Sequence, residues 1–265
     1  MTYELYAIRY ATNPRRQVRD NFMVAPGDIH DGPMPMDFFV WAAVRDGQAI
    51  LIDSGADRET CTKRGHDFLR CPTEGLAALG VKPENVTGII STHLHWDHAG
   101  NFEKFPRARF HAQACEIQHA VGPCMCRPFL RRAYDVEQVV SFVRLVHGER
   151  VTFHEGESEV APGITVRHVG GHAPGLQVVR VHTKRGWVVL ASDASHFYAN
   201  LEQARPFPIV HDLGAMLDGY QRLRELATSE AHIVPGHDPA VMARYPVARA
   251  GLEDWVVRLD LAPSA

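Results

Sequence analysis

Apolar residues recur along the chain in short β-branched and aromatic runs broken by turn residues. Residues 3–11 (YELYAIRYA) alternate loosely and read as a strand. Residues 37–55 (DFFVWAAVRDGQAILIDSG) hold two such runs joined at Asp46-Gly47, a pair suited to a hairpin turn. A short helix over 73–80 ends at Gly80, and 84–92 (ENVTGIIST) is an apolar strand feeding a polar cluster. Residues 108–112 form another strand. The spacing over 128–146 predicts a helix, with Pro128 acceptable in its first turn. Four β-rich runs follow at 150–156, 164–171, 176–183 and 187–194. Residues 213–228 return to helical period, and 231–238 form a last strand ending at a histidine.

Residues 46–57 (DGQAILIDSGAD) and 184–195 (KRGWVVLASDAS) share one pattern: a glycine turn, an apolar strand, then an aspartate followed by small residues. Asp53 and Asp193 occupy matching places. Two strand-rich halves, each followed by helices, predict an α/β (α+β) chain folded as an αββα four-layer sandwich with pseudo-twofold symmetry. Residues 23–37, with three prolines and three methionines, read equally as an irregular connection or as an apolar flap over a site.

Composition narrows the class. The 265 residues, 45% hydrophobic and 22% charged, suit one large domain over 1–265 with an inserted helical, cap-like segment at about 112–150. A net charge of −3 gives no general attraction to nucleic acid or anionic lipid, and Arg15, Arg16 and Arg19 read as a solvated cluster. The five cysteines form an odd set without a secretory signal, which predicts reduced thiols in a cytoplasmic protein; Cys124 and Cys126 lack the spacing of a structural zinc site. No run of about 18 apolar residues occurs, so no membrane span is expected.

The 16 histidines change the picture. Within STHLHWDHAGN (91–101), His93, His95, Asp97 and His98 fall in six positions. His93 and His95 point the same way in an extended segment and can chelate one ion, while Asp97 and His98 follow after a turn and can address a second. Crowded polar groups at a strand end need a compensating cation. His172 in VGGHAPG, Asp193 in LASDAS and His237 in VPGHD sit at other strand ends and bring the set to seven nitrogen and oxygen donors. Such donors suit zinc, and also iron, manganese or cobalt. His66, His111, His119, His147, His154, His168, His182 and His232 lack this clustering and read as surface or core residues.

The H-x-H-x-D-H block, the Gly-His-x-Pro-Gly turn, Asp193 at its strand end and the terminal Gly-His-Asp resemble the metallo-β-lactamase superfamily, over about residues 37–240. The likeness is nearest to the N-acyl homoserine lactonase, or quorum-quenching, branch. It implies the metallo-β-lactamase fold and two divalent ions per chain, zinc first among them. His93, His95 and His172 would hold one ion, Asp97, His98 and His237 the other, and Asp193 would bridge them. Asp53 would orient a ligand histidine. The implied reaction is opening of a lactone by a metal-bridging hydroxide, with Asp97 or Asp193 carrying the proton, and the implied assembly is a homodimer. His98 completes the second set, which argues against penicillin hydrolysis. Two departures bear on substrate. His196 stands where lactonases place a tyrosine, with Tyr198 two residues on, and either is a candidate donor to the oxyanion. Leu176 replaces a histidine, which opens the substrate to other cyclic esters.

Candidate pocket walls are 112–150 and 200–212, with Phe129, Phe142, Tyr198, Phe207 and Met34 as lining and Arg127 or Arg205 for a carboxylate or amide. The alternatives are a thioesterase of the glyoxalase II type and a ligand-binding member without catalysis. The few basic residues after 240 disfavour the first, and the intact ligand set disfavours the second.

Overall fold

The computed structural model describes residues 1–23 and 31–264. Among them, chain order gives β1 (Glu4–Asn13), β2 (Met36–Arg45), β3 (Gln48–Ile52), β4 (Asp67–Phe68), β5 (Val86–Ile90), β6 (Arg109–Gln113) and β7 (Val151–His154). The second half gives β8 (Glu157–Ala161), β9 (Ile164–His168), β10 (Gln177–Thr183), β11 (Gly186–Ser192), β12 (Ile233–Pro235) and β13 (Val256–Arg258). One sheet runs β13-β1-β2-β3-β5-β6-β7 with β4 against β1; the other runs β12-β11-β10-β9-β8.

Period-two alternation explains the layering, because neighbouring residues of a strand serve opposite faces. Leu5, Ala7, Phe39, Trp41 and Ala43 from β1 and β2 meet Val179, Val181, Val188 and Leu190 from β10 and β11 between the sheets. The intervening Ile8, Tyr10, Phe38 and Val40 face outward and are covered by Leu76, Val139 and Phe142. On the far side, Val178, Val189 and Ala191 are covered by Tyr220 and Leu223 of the helix Leu213–Leu226. The result is an αββα sandwich in which both faces of each sheet are buried.

At the β2–β3 hairpin Asp46 and Gly47 both take positive φ (52° and 74°), the geometry that matches strand twist in a two-residue turn. β3, β5, β6 and β7 are parallel, as are β11 and β12. Parallel neighbours open their carboxyl ends at one edge, so the loops after β3, β5, β11 and β12 gather there. Within residues 112–150 the expected helix over 128–146 is two, Pro128–Arg131 and Val136–His147. Asp135 caps the second by accepting from Glu137 N at 3.0 Å, and Ala133 in the break accepts from Trp96 N at 2.9 Å. A tertiary hydrogen bond has replaced a helical one, which periodicity does not record. The half-exposed edge strand β8 and the three-residue β13 also carried too little pattern to be expected. The flap reading of 23–37 falls largely on 24–30, outside the described residues; Met34 packs on the outer core, and its N–H donates to Arg16 O.

Candidate metal centre

β5 leads into His93 and His95, the latter bridged to Tyr134, and the chain then turns as His98 N donates to His95 O at 3.0 Å. That turn brings Asp97 and His98 back over the first two histidines. The hydroxyl of Tyr10 fixes it from below by donating to Asp97 O at 2.7 Å. In the His172 turn a Cβ on Gly175 would lie 2.6 Å from Glu116 N, and beside His237 a Cβ on Gly236 would lie 2.6 Å from Ser192 O. Only glycine admits these approaches.

The seven expected residues come together, all buried. Asp193 Oδ2 lies 3.1 Å from His172 Nε2 and 3.8 Å from His93 Nε2. Its Oδ1 lies 3.1 Å from His98 Nε2 and 3.0 Å from His237 Nε2. Asp97 Oδ2 is 3.4 Å from His98 Nε2 and 3.6 Å from His237 Nε2, and His95 Nδ1 is 2.9 Å from His172 Nε2. Two donor sets result, His93, His95, His172 and Asp193 on one side and Asp97, His98 and His237 on the other, and a third, Asp193, His196 and His237, overlaps both.

The outward ring nitrogens decide what these sets can hold. Nδ1 of His98 donates to Asp53 Oδ2 at 2.7 Å, Nδ1 of His172 to Ile209 O at 2.7 Å, and Nδ1 of His237 to Asp37 O at 2.9 Å. A neutral imidazole that donates from Nδ1 presents a bare lone pair at Nε2. Those lone pairs face carboxylate oxygens, and His93 Nε2 and His98 Nε2 are buried with no hydrogen-bond partner. Lone pairs converging on one another are repulsive unless a cation lies among them, so the donor set fits divalent metal ions. The carboxylates around these nitrogens themselves draw positive charge to the cluster. Burial disfavours charge on His98, yet Asp97, Asp193 and Asp53 outweigh it and shift its imidazole well above the ordinary range. Burial and the neighbouring imidazoles hold His93 and His95 well below it. Asp53 is itself raised by burial, against the pull of His98.

His196 lies with the cluster: its Nε2 is 2.9 Å from Asp193 Oδ2, and its ring stacks on Phe207 at 3.6 Å between centroids. Burial lowers its pKa to about 3, against the pull of Asp193. Its Nδ1 is buried without a hydrogen-bond partner, so Nε2, toward Asp193, is the ring nitrogen that ties it to the cluster. Tyr198 is not gathered here. Its ring lies under the Arg244 guanidinium at 4.0 Å, and its cavity, shared with Leu201 and Tyr245, contains none of the seven donors.

A cleft of about 100 Å³ opens over the cluster, lined by Arg16, Phe38, His66, Trp96 and Phe207. A second cavity shares His95 and His172 with it and reaches Phe129, His119 and His211. Of the expected wall residues Phe207 and Phe129 take part. Phe142 is core, 5.8 Å from Phe102 between ring centroids, and Arg205 lies over Phe22. Leu176 is packed in the outer core rather than on the cleft. His66, expected as background, stacks on Trp96 at 4.9 Å and forms part of the wall. Glu116, which no sequence signal marked, is fully buried. It accepts from Leu94 N (2.9 Å), Gly175 N (2.8 Å) and the Tyr134 hydroxyl (3.1 Å), tying both ligand loops to the inserted segment. A buried glutamate looks like any surface glutamate in a sequence; only its neighbours distinguish it.

Comparisons with known proteins agree with this geometry. The metallo-beta-lactamase superfamily model matches residues 37–241, more than half of the chain. An N-acyl homoserine lactonase from Bacillus thuringiensis is 32% identical over 236 residues, 82% of this chain and 86% of the relative. A probable metallo-hydrolase from Mycobacterium tuberculosis is 24% identical, covering 74% of this chain and 70% of its own. Among solved structures, a quorum-quenching N-acyl homoserine lactone lactonase superposes with a TM-score of 0.72 at 25% identity, over 91% of this chain and 94% of that one. With the sandwich, the paired donor sets and these relatives in agreement, the chain belongs to the metallo-β-lactamase superfamily and is a metal-dependent hydrolase.

Proposed function

We propose that this hydrolase opens a lactone, an N-acyl homoserine lactone or a related cyclic ester, at a dinuclear centre. The observation that carries the reading is Asp193, whose Oδ1 faces His98 and His237 while its Oδ2 faces His93, His172 and His196. In this reading His93, His95 and His172 hold one cation, Asp97, His98 and His237 hold the other, and Asp193 serves both. Two divalent cations there, zinc first among the candidates, supply a Lewis acid for the ester carbonyl and hydroxide at neutral pH. The chain's own residues do the rest. Asp53 holds the His98 ring so that Nε2 faces inward. His196 does the same for Asp193. Asp97 lines the cleft and is the carboxylate placed to carry a proton to the departing alkoxide. Phe38, Trp96 and Phe207 keep bulk water from the reacting ester.

The test is the metal content of the purified protein together with a pH-drop assay over short- and long-chain acyl homoserine lactones, simple γ-lactones, an aryl lactone and S-lactoylglutathione. About two ions per chain with lactone turnover supports the reading. Two ions with turnover of the thioester alone moves the chain to the glyoxalase II type of reaction, and a metal-free, inactive chain makes it a binding protein.

A further inference from the structure

The cluster Arg15, Arg16, Arg19 divides on folding. Arg15 pairs outward with Asp67 at 2.9 Å and Arg19 with Asp31 at 2.8 Å. Arg16 turns inward and lines the cleft over the metal cluster, with its guanidinium carbon 5.2 Å from the centre of the Phe207 ring. Its hydrogen bonds go to neutral acceptors, Nε to Asn21 Oδ1 at 2.6 Å and Nη2 to the backbone oxygen of Asp20. Among the described residues no carboxylate lies within ion-pair distance of it. A guanidinium carries five N–H donors and stays charged at any physiological pH, so three donors remain beyond these two bonds on a side chain that lines the cleft. A partly buried cation with no carboxylate in contact among the described residues is costly, Asp20 and Asp97 acting on it only from a distance, and a ligand anion would lower that cost.

We propose that Arg16 is the specificity-determining residue of the site and selects a lactone that bears a carboxylate beside its ring. This rests on the ring-opening reading above and adds the substrate class to it. The cleft wall beside Arg16 is aromatic, formed by Phe38, Trp96 and His66; the Phe38 and Trp96 ring centroids lie 5.5 Å apart with the planes tilted at 52°, and His66 is stacked within 10° of Trp96. A space of about 100 Å³ takes a five-membered ring with a short substituent. An Arg–carboxylate pair is also the charge-assisted, two-pronged contact that a planar fork recognises best.

The experiment compares the metal-loaded wild type with Arg16→Gln and Arg16→Lys on a γ-lactone carboxylate and on its methyl ester, resolving kcat from KM. Wild type should favour the carboxylate. Arg16→Gln should reduce the preference for carboxylate over ester by about tenfold to a hundredfold, mainly through KM, with partial recovery in Arg16→Lys. A wild type that favours the ester, or an Arg16→Gln loss equal for both substrates, overturns the proposal. If the wild type holds two ions yet opens no lactone, the ring-opening reading fails by itself. Calorimetric binding of the ring-opened hydroxy dicarboxylate then decides on Arg16: binding at least tenfold weaker in Arg16→Gln supports it, and equal binding overturns it.

Discussion

Asp53→Asn tests whether the histidine cluster is organised from behind. Asp53 is fully buried with φ of 60°, a conformation that asparagine tolerates nearly as well as any residue except glycine, so the backbone survives the exchange. The hydrogen bonds do not survive it. Oδ1 accepts from Thr92 N at 2.7 Å, while Oδ2 accepts from the Thr92 hydroxyl at 2.8 Å and from His98 Nδ1 at 2.7 Å. The least costly amide keeps its oxygen on Thr92 N and turns its NH₂ toward His98. Two donors then meet, and His98 must move its proton to Nε2, the nitrogen that faces Asp97 and Asp193. Losing such an outer partner weakens metal binding roughly tenfold to a hundredfold, or about 1.4–2.7 kcal/mol. Chelator competition followed by metal analysis should show one of two ions released early, with activity falling in step and far-ultraviolet dichroism unchanged. If both ions stay with native affinity, Asp53 only fills space and the reasoning fails.

His98→Ala and Asp193→Ala should each reduce turnover to background while circular dichroism and the thermal midpoint stay near native, because the sandwich rests on its apolar strands; near-native rates in either would end the two-metal mechanism. Glu116→Gln keeps Leu94 N and Tyr134 on its oxygen but sets an NH₂ against Gly175 N, so urea unfolding should show a loss of about 1–3 kcal/mol. Phe142→Ala, fully buried beside Phe102, should cost about 3–5 kcal/mol by the same measurement, with the metal content of the folded fraction unchanged.

Much of this was legible in one dimension. The strands that bury both faces announced themselves as β-branched and aromatic runs, and the hairpin at Asp46-Gly47 was written in its two turn residues. All seven donors stood at strand ends, where a crowd of unpaired polar groups is too costly to persist without a cation. The helix break before Asp135 was not legible, because Ala133 gives its carbonyl to Trp96, a residue far back along the chain. Tyr198 was misplaced for a related reason. Sequence distance from Asp193 says nothing about which way a helix start turns its side chain, and here it turns toward Arg244.

The sequence by itself determined the layers and the donor residues that the fold gathers, since periodicity and residue type are local properties that survive any fold. Tertiary structure decided everything that depends on two distant segments meeting: the two oxygens of Asp193 facing separate sets of histidines, Asp53 behind His98, and Glu116 joining two loops. It also separated Arg16 from its neighbours Arg15 and Arg19. Three basic residues of one cluster are alike until each finds, or lacks, a carboxylate, and that is settled by parts of the chain that no local pattern brings together.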